Sequence, residues 1–136
     1  MATRASAEPQ RVTLSRVLIA VIFTVSGVLH LVRPATYLSI VPPWLPEPKA
    51  LVLISGVCEI LGAAGLLIAT AREAAGWGLI ALLVAVFPAN IQMLLNAHAA
   101  HGSRAWQAAL AARLPMQGLL IYWVYHAAVR KGRRVA

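Results

Sequence analysis

Leu51-Val52-Leu53-Ile54-Ser55-Gly56-Val57-Cys58-Glu59-Ile60-Leu61-Gly62-Ala63-Ala64-Gly65-Leu66-Leu67-Ile68-Ala69 is the stretch that decides the fold. Apolar or small residues fill almost the whole run, and Glu59 is its one formal charge. The hydrocarbon core of a bilayer is about 30 Å thick and takes roughly 20 helical residues at about 1.5 Å each. The run therefore predicts a membrane-crossing helix. Three further segments read the same way: Val12–Leu31, Ala74–Leu95 and Leu114–Val129. The last rises only about 24 Å and needs help from its flanks. Trp106–Ala112 is expected to extend it as an interfacial helical turn, with Pro115 as a kink or a first-turn residue.

Composition agrees. The chain has 136 residues, of which 60% are hydrophobic and 12% charged, with a mean hydropathy of +0.76. Twelve Lys+Arg and four Asp+Glu are too few to cover a soluble domain of this size. Disorder fails for the opposite reason, since so apolar a chain collapses. A single cysteine, Cys58, excludes an intrachain disulfide framework and a Cys-rich zinc site. The expected fold is all-α: a single domain over residues 1–136, an integral membrane four-helix antiparallel bundle with a proline-rich outer loop between the first and second spans.

Charge sets the expected orientation. Arg4, Arg11, Arg16, Arg72, Arg130, Lys131, Arg133 and Arg134 fall on one side, eight of the twelve basic residues, against Arg33, Lys49, Arg104 and Arg113 on the other. The positive-inside rule puts both termini in the cytoplasm of a bacterial cell, with the chain in its cytoplasmic membrane. A cleaved signal peptide is the competing reading of the first segment, but no small-x-small cleavage pattern directly follows its apolar run. The net charge of +8 flanks the spans and suits anionic headgroups, so the bilayer and not nucleic acid is the expected partner. Thr70-Ala71-Arg72-Glu73 is a tight link that forces a hairpin. Between Arg33 and Pro48 five prolines stiffen the chain and forbid a regular helix throughout, while Tyr37, Leu38, Ile40, Trp44 and Leu45 suit the headgroup boundary.

The polar residues inside the spans gather at one depth. Counting about 1.5 Å per residue, His30 lies about 5 Å below the outer boundary, Gln117 about 6 Å, Asn90 about 9 Å and Glu59 about 13 Å. Ser26, Ser55, Cys58 and Gln92 share that layer. Ser26 and His30 are four apart, as are Ser55 and Glu59, so each pair shares a helix face. Arg113 and Gln117 form the matching pair on the fourth span. Gly62, Ala63 and Gly65 allow a neighbouring helix to approach closely, and Pro88 can kink the third span and free a carbonyl near Asn90. A carboxylate in mid-bilayer costs roughly 2.5–3.5 kcal/mol on the insertion scale, so Glu59 is expected to face inward toward Arg113 or His30. Without a partner it would sit there as the neutral acid.

Two readings of this layer stand side by side. In one, it is a hydrogen-bond and salt-bridge network that fixes helix packing. In the other, His30, Glu59, Asn90, Arg113 and Gln117 line a ligand pocket for a small polar or quinone-like molecule. There Glu59 handles a proton or accepts a hydrogen bond, His30 and Arg113 polarise an oxygen, and Asn90 and Gln117 orient the ligand. His98-Ala99-Ala100-His101 has metal-ligand spacing but no carboxylate or cysteine beside it, so no metal is expected. Transport by alternating access would call for a homo-oligomer, since four helices without a repeat leave little room for it.

Several blocks together carry a family likeness. Ser26-Gly27-Val28-Leu29-His30 with Arg33-Pro34, Val41-Pro42-Pro43-Trp44-Leu45-Pro46, Leu53–Gly62, Phe87-Pro88-Ala89-Asn90-Ile91 and Arg113-Leu114-Pro115-Met116-Gln117 make a chain that resembles the DoxX-like family of small bacterial membrane proteins. The resemblance implies a four-helix membrane bundle. It also implies a redox-associated membrane subunit that binds a quinone or a small thiol-related molecule, linked in some relatives to quinone-dependent thiosulfate oxidation and in others to thiol-stress assemblies. Redox partner proteins would then supply the cysteines, because Cys58 alone cannot form a dithiol relay. The alternative is a non-enzymatic scaffold whose polar layer only fixes packing.

Overall fold

Helix boundaries follow the punctuation of the chain. The computed structural model describes residues 12–130, and all regular structure among them is helical. The elements are α1 (Leu14–Val32), α2 (Pro34–Leu38), α3 (Pro48–Leu67), α4 (Arg72–Ala99), α5 (Arg104–Val124) and a π-turn (Tyr125–Val129). Arg4, Arg11, Lys131, Arg133 and Arg134, which carry much of the expected charge asymmetry, lie outside the described residues.

α1 stops at Arg33, whose φ of −132° and ψ of 52° are not helical. The ring of Pro34 disfavours the helical region for the residue before it. Pro34 then opens α2 and Pro48 opens α3, each in the first turn, where a missing N–H costs nothing. Glu47, ahead of Pro48, is left-handed at φ 48°. At the other end of α4, His101 takes φ 50°, and the Gly102 N–H reaches back to the Ala97 carbonyl at 2.9 Å, closing the helix. Ser103 caps α5 by accepting from the Trp106 backbone N–H at 3.2 Å.

The helix count differs from the sequence expectation. Five α-helices are present among the described residues, not four, because Pro34–Leu38 forms a turn of its own inside the proline-rich loop. Its one proline stands at the first position, whereas Pro42, Pro43 and Pro46 keep the rest of the loop irregular. Trp106–Ala112 and Leu114–Val129 are one continuous helix through Pro115, ending in the π-turn. Only α1, α3 and α4 are long and apolar enough to cross a membrane among the described residues. α5 falls short because Arg104, Gln107, Arg113 and Gln117 occupy its first two-thirds.

Helices pack in chain order: α1 on α3, α3 on α4, α4 on α5, with the π-turn reaching both α4 and α1. Ile19, Phe23, Leu66, Leu79 and Val124 form an apolar core near the α1 N-terminus and the α5 C-terminus. That end is also tied by the Trp123 indole N–H, which donates to Ser15 Oγ at 3.0 Å. At the opposite end the Asn96 amide donates to the Ser39 carbonyl at 2.8 Å, holding the α2 segment against α4. Outward faces stay apolar: Leu14, Ile54, Leu61, Val84 and Leu119 are each more than half exposed.

Candidate functional site

α1 and α3 touch backbone to backbone. A Cβ on Gly27 would stand 2.6 Å from the Gly56 carbonyl oxygen, and one on Gly56 would stand 2.9 Å from the Gly27 carbonyl oxygen and 2.8 Å from His30 Cβ. No side chain fits between them. Gly27 lies three residues before His30 and Gly56 three before Glu59, so each glycine shares a helix face with an ionisable group. The crossing therefore presses the polar face of α1 onto that of α3.

Glu59 is buried there, 7% exposed. Ser26 is hydrogen-bonded to its carboxyl group. Its Oε2 has no hydrogen-bond partner and is shut off from solvent. The nearest cationic candidate is His30, with Nδ1 3.6 Å from Oε2. That nitrogen sits closer, at 2.8 Å, to the Ser26 carbonyl, which requires it to carry the proton and donate. His30 thus spends its Nδ1 proton on the backbone and leaves Glu59 Oε2 unserved.

α2 closes the site from the side. Tyr37 stacks on His30 with ring centroids 3.7 Å apart and an interplanar angle of 24°. Burial pushes the Tyr37 phenol above its usual value; Glu59 pushes the same way and Arg113 opposes them. Folding therefore binds the phenolic proton more tightly than the unfolded chain does. That stabilisation is complete below the ordinary tyrosine value, roughly 10, and is lost as pH rises through the raised one. Ultraviolet phenolate titration of the wild type minus Tyr37→Phe is expected to show a component with its midpoint above that of free tyrosine. A midpoint at or below it would remove Tyr37 from this enclosed setting.

The other expected site residues fall into a second group. Asn90 Nδ2 donates to Gln117 Oε1 at 2.6 Å, and Gln117 Nε2 donates to the Leu83 carbonyl. Leu83 precedes Val84, whose carbonyl loses its helical donor because Pro88 has no N–H. The pair fastens α4 to α5 beside that break. No hydrogen bond or ion pair among the described residues joins it to Glu59. Arg113 is exposed and forms no ion pair with Glu59, although its charge reaches Tyr37. Ser55 is satisfied by the Val52 carbonyl and Gln92 by Asn96, while Cys58 is exposed on the outer face of α3. His98 meets Gln107 at 3.0 Å, and no cluster of three metal-ligating side chains occurs among the described residues.

Interhelical hydrogen bonds in membranes contribute roughly 0.6 kcal/mol on average and at most about 1.7. Gln117→Leu is accordingly expected to destabilise by about 1–2 kcal/mol, since it also strands Asn90. Adding Asn90→Ala should cost little more. Additive losses in thermal unfolding of the double variant would mean that the two side chains act separately.

Tyr37, Gly27 and Gly56 are the residues that sequence reasoning passes over. The glycines were detectable by their spacing from His30 and Glu59. Tyr37 was not, because its stacking depends on the chain reversing at Arg33-Pro34.

A family model matches residues 19–128, and its description is a domain of unknown function, DUF8561. The chain belongs to that family. The match overturns the DoxX-like resemblance: every block that carried it lies inside the DUF8561 span, and none ties the chain to the DoxX-like family. The blocks mislead for a physical reason. Prolines in a boundary loop, glycines at a helix crossing and isolated polar groups at one depth are demands of small apolar helical proteins in general. No curated protein and no solved structure matches this DUF8561 chain.

Proposed function

We propose that this DUF8561 protein is a multi-pass protein of a bacterial cytoplasmic membrane, its four long helices forming an antiparallel bundle with both termini cytoplasmic. We further propose that Ser26, His30, Tyr37 and Glu59 bind the headgroup of a small hydrogen-bond donor, a quinol, in a redox-associated subunit. The membrane reading is supported by three helices of spanning length and by their exposed apolar faces, larger than a soluble monomer tolerates. Orientation is supported by the sequence charge asymmetry alone.

One observation carries the ligand reading: Glu59 Oε2 is buried without a donor. Nearly all buried polar atoms in folded proteins are satisfied, and an exception asks for an explanation. A quinol hydroxyl that reaches Oε2 by displacing the Tyr37 segment would supply the missing proton donor, and Arg113 biases the local field. Oxidation of a bound quinol would pass its two electrons to a redox partner protein and release its two protons to water, leaving the quinone. Asn90 and Gln117, bonded to each other, serve best as the fastening of α4 to α5. Titration of a short-chain quinol into the purified protein tests the reading: saturable binding that weakens in Glu59→Gln supports it, and absence of binding to the wild type refutes it.

A second reading, a non-enzymatic scaffold, draws on the Gly27–Gly56 contact, which packs the polar residues on one another. Under it, Glu59→Gln lowers thermal stability and changes no ligand response.

A further inference from the structure

The end of the molecule opposite Glu59 holds a concavity of about 300 Å³, lined by Thr13, Ser15, Arg16, Trp123, His126 and Ala127. Its wall is built by helix-end chemistry. The final carbonyls of a helix have no intrahelical donor, and the Arg16 guanidinium serves one of them, donating from Nε to the Ala127 carbonyl at 2.8 Å. That bond holds the cation at the rim. Trp123 is likewise held, by its indole bond to Ser15 Oγ.

The remaining polar groups are disposed to donate. Ser15 Oγ accepts from Trp123, and its hydroxyl carries a proton of its own. Thr13 makes no side-chain capping bond to α1. His126 Nδ1 lies 3.2 Å from Arg130 Nη1. A guanidinium can only donate, so Nδ1 accepts and the imidazole proton resides on Nε2, a further donor. Among the described residues no carboxylate lines the concavity.

Charge gathers around it. Arg72 lies close enough to Arg16 for mutual repulsion, and Arg130 is bound to His126. Hydroxyl, imidazole and guanidinium donors around a cavity of positive surroundings match one ligand chemistry, an oxyanion with several acceptor oxygens. At a helix-bundle end with excess Lys and Arg, its membrane-borne form is an anionic phospholipid headgroup.

We propose that this concavity binds a phosphate group, carried either by an anionic phospholipid or by a soluble phosphate. The inference concerns a site distinct from the Glu59 cluster and stands or falls apart from the quinol reading. The test uses the full chain in neutral phosphatidylcholine nanodiscs, titrated with phosphatidylglycerol and, separately, with inorganic phosphate. Variants are Arg16→Gln, the milder pair Thr13→Val with Ser15→Ala, and Arg104→Gln at the opposite end as a charge-matched control. Saturable phosphatidylglycerol binding, at least fivefold weaker in Arg16→Gln and weakened in the hydroxyl pair but unchanged in Arg104→Gln, is the expected result. Competition by millimolar inorganic phosphate assigns the site to free phosphate, and its failure to compete assigns it to the lipid headgroup. Binding of neither probe, or equal losses in Arg16→Gln and Arg104→Gln, overturns the proposal. If Arg16→Gln does not fold, the hydroxyl pair decides alone.

Discussion

Gly56→Leu prevents α1 from lying against α3. A single Cβ at position 56 already stands within 3 Å of the Gly27 carbonyl oxygen and of His30 Cβ, and neither is the free end of a flexible side chain. Overpacking of one or two carbons typically costs about 1–3 kcal/mol, and here the obstacle is backbone. Gly56→Ala is therefore expected to lose about 2–3 kcal/mol of stability and Gly56→Leu more, with loss of the folded protein in detergent. Gly78 and Gly118 provide the contrast, since nothing stands within 4 Å of a Cβ built on either. Alanine there should be neutral or stabilising by roughly 0.4–1 kcal/mol, the helix-propensity gain over glycine. Thermal unfolding of the four alanine variants, at 27, 56, 78 and 118, checks this. Equal responses at all four positions would show that the crossing does not depend on close backbone approach.

Glu59 gives the second large effect, and its two directions are informative together. Glu59→Leu exchanges a buried, partly unsatisfied acid for a side chain that the bilayer core favours by roughly 3 kcal/mol on the insertion scale. Replacing a buried ion pair with packed hydrocarbon of similar size is often neutral or stabilising by about 1–4 kcal/mol, and an unpaired acid has less to lose. The variant is expected to unfold at a higher temperature than the wild type while failing to bind quinol. Glu59→Gln keeps the shape but turns half of an acceptor into a donor. A hydrogen bond contributes about 0.5–1.5 kcal/mol, so quinol affinity should fall roughly three- to tenfold. A stabilised Glu59→Leu variant marks a group kept at a cost to the fold, as binding sites commonly are. A destabilised one would assign Glu59 to packing and favour the scaffold.

How far the sequence could be read depended on the range of the interactions involved. Helix existence is local: the apolar runs around Leu14–Val32, Pro48–Leu67 and Arg72–Ala99 announce themselves, and prolines at 34 and 48 mark two of the starts. The depth of His30 and Glu59 is local too, because a helix converts residue number into height. Azimuth is not. Whether Arg113 or His30 faces Glu59 depends on how each helix is rotated, and only the Gly27–Gly56 contact settles that, in favour of His30. For the same reason Asn90 and Gln117 turn toward each other and not toward Glu59. α2 escaped notice because a prolyl residue at a helix start and one in an irregular loop look alike in sequence. The concavity was not legible for a different reason: Ser15, Arg16, Trp123 and His126 come from opposite ends of the chain and meet only after α5 has returned alongside α1.

The central claim is that the unserved oxygen of Glu59 receives a proton donor from a bound molecule. Infrared difference spectroscopy on addition of a short-chain quinol addresses it most directly, with the Glu59 carboxyl bands assigned by their loss in Glu59→Gln. The account predicts that those bands shift when quinol binds and that the shift saturates with the binding curve. Quinol binding that leaves the Glu59 bands unmoved would contradict it.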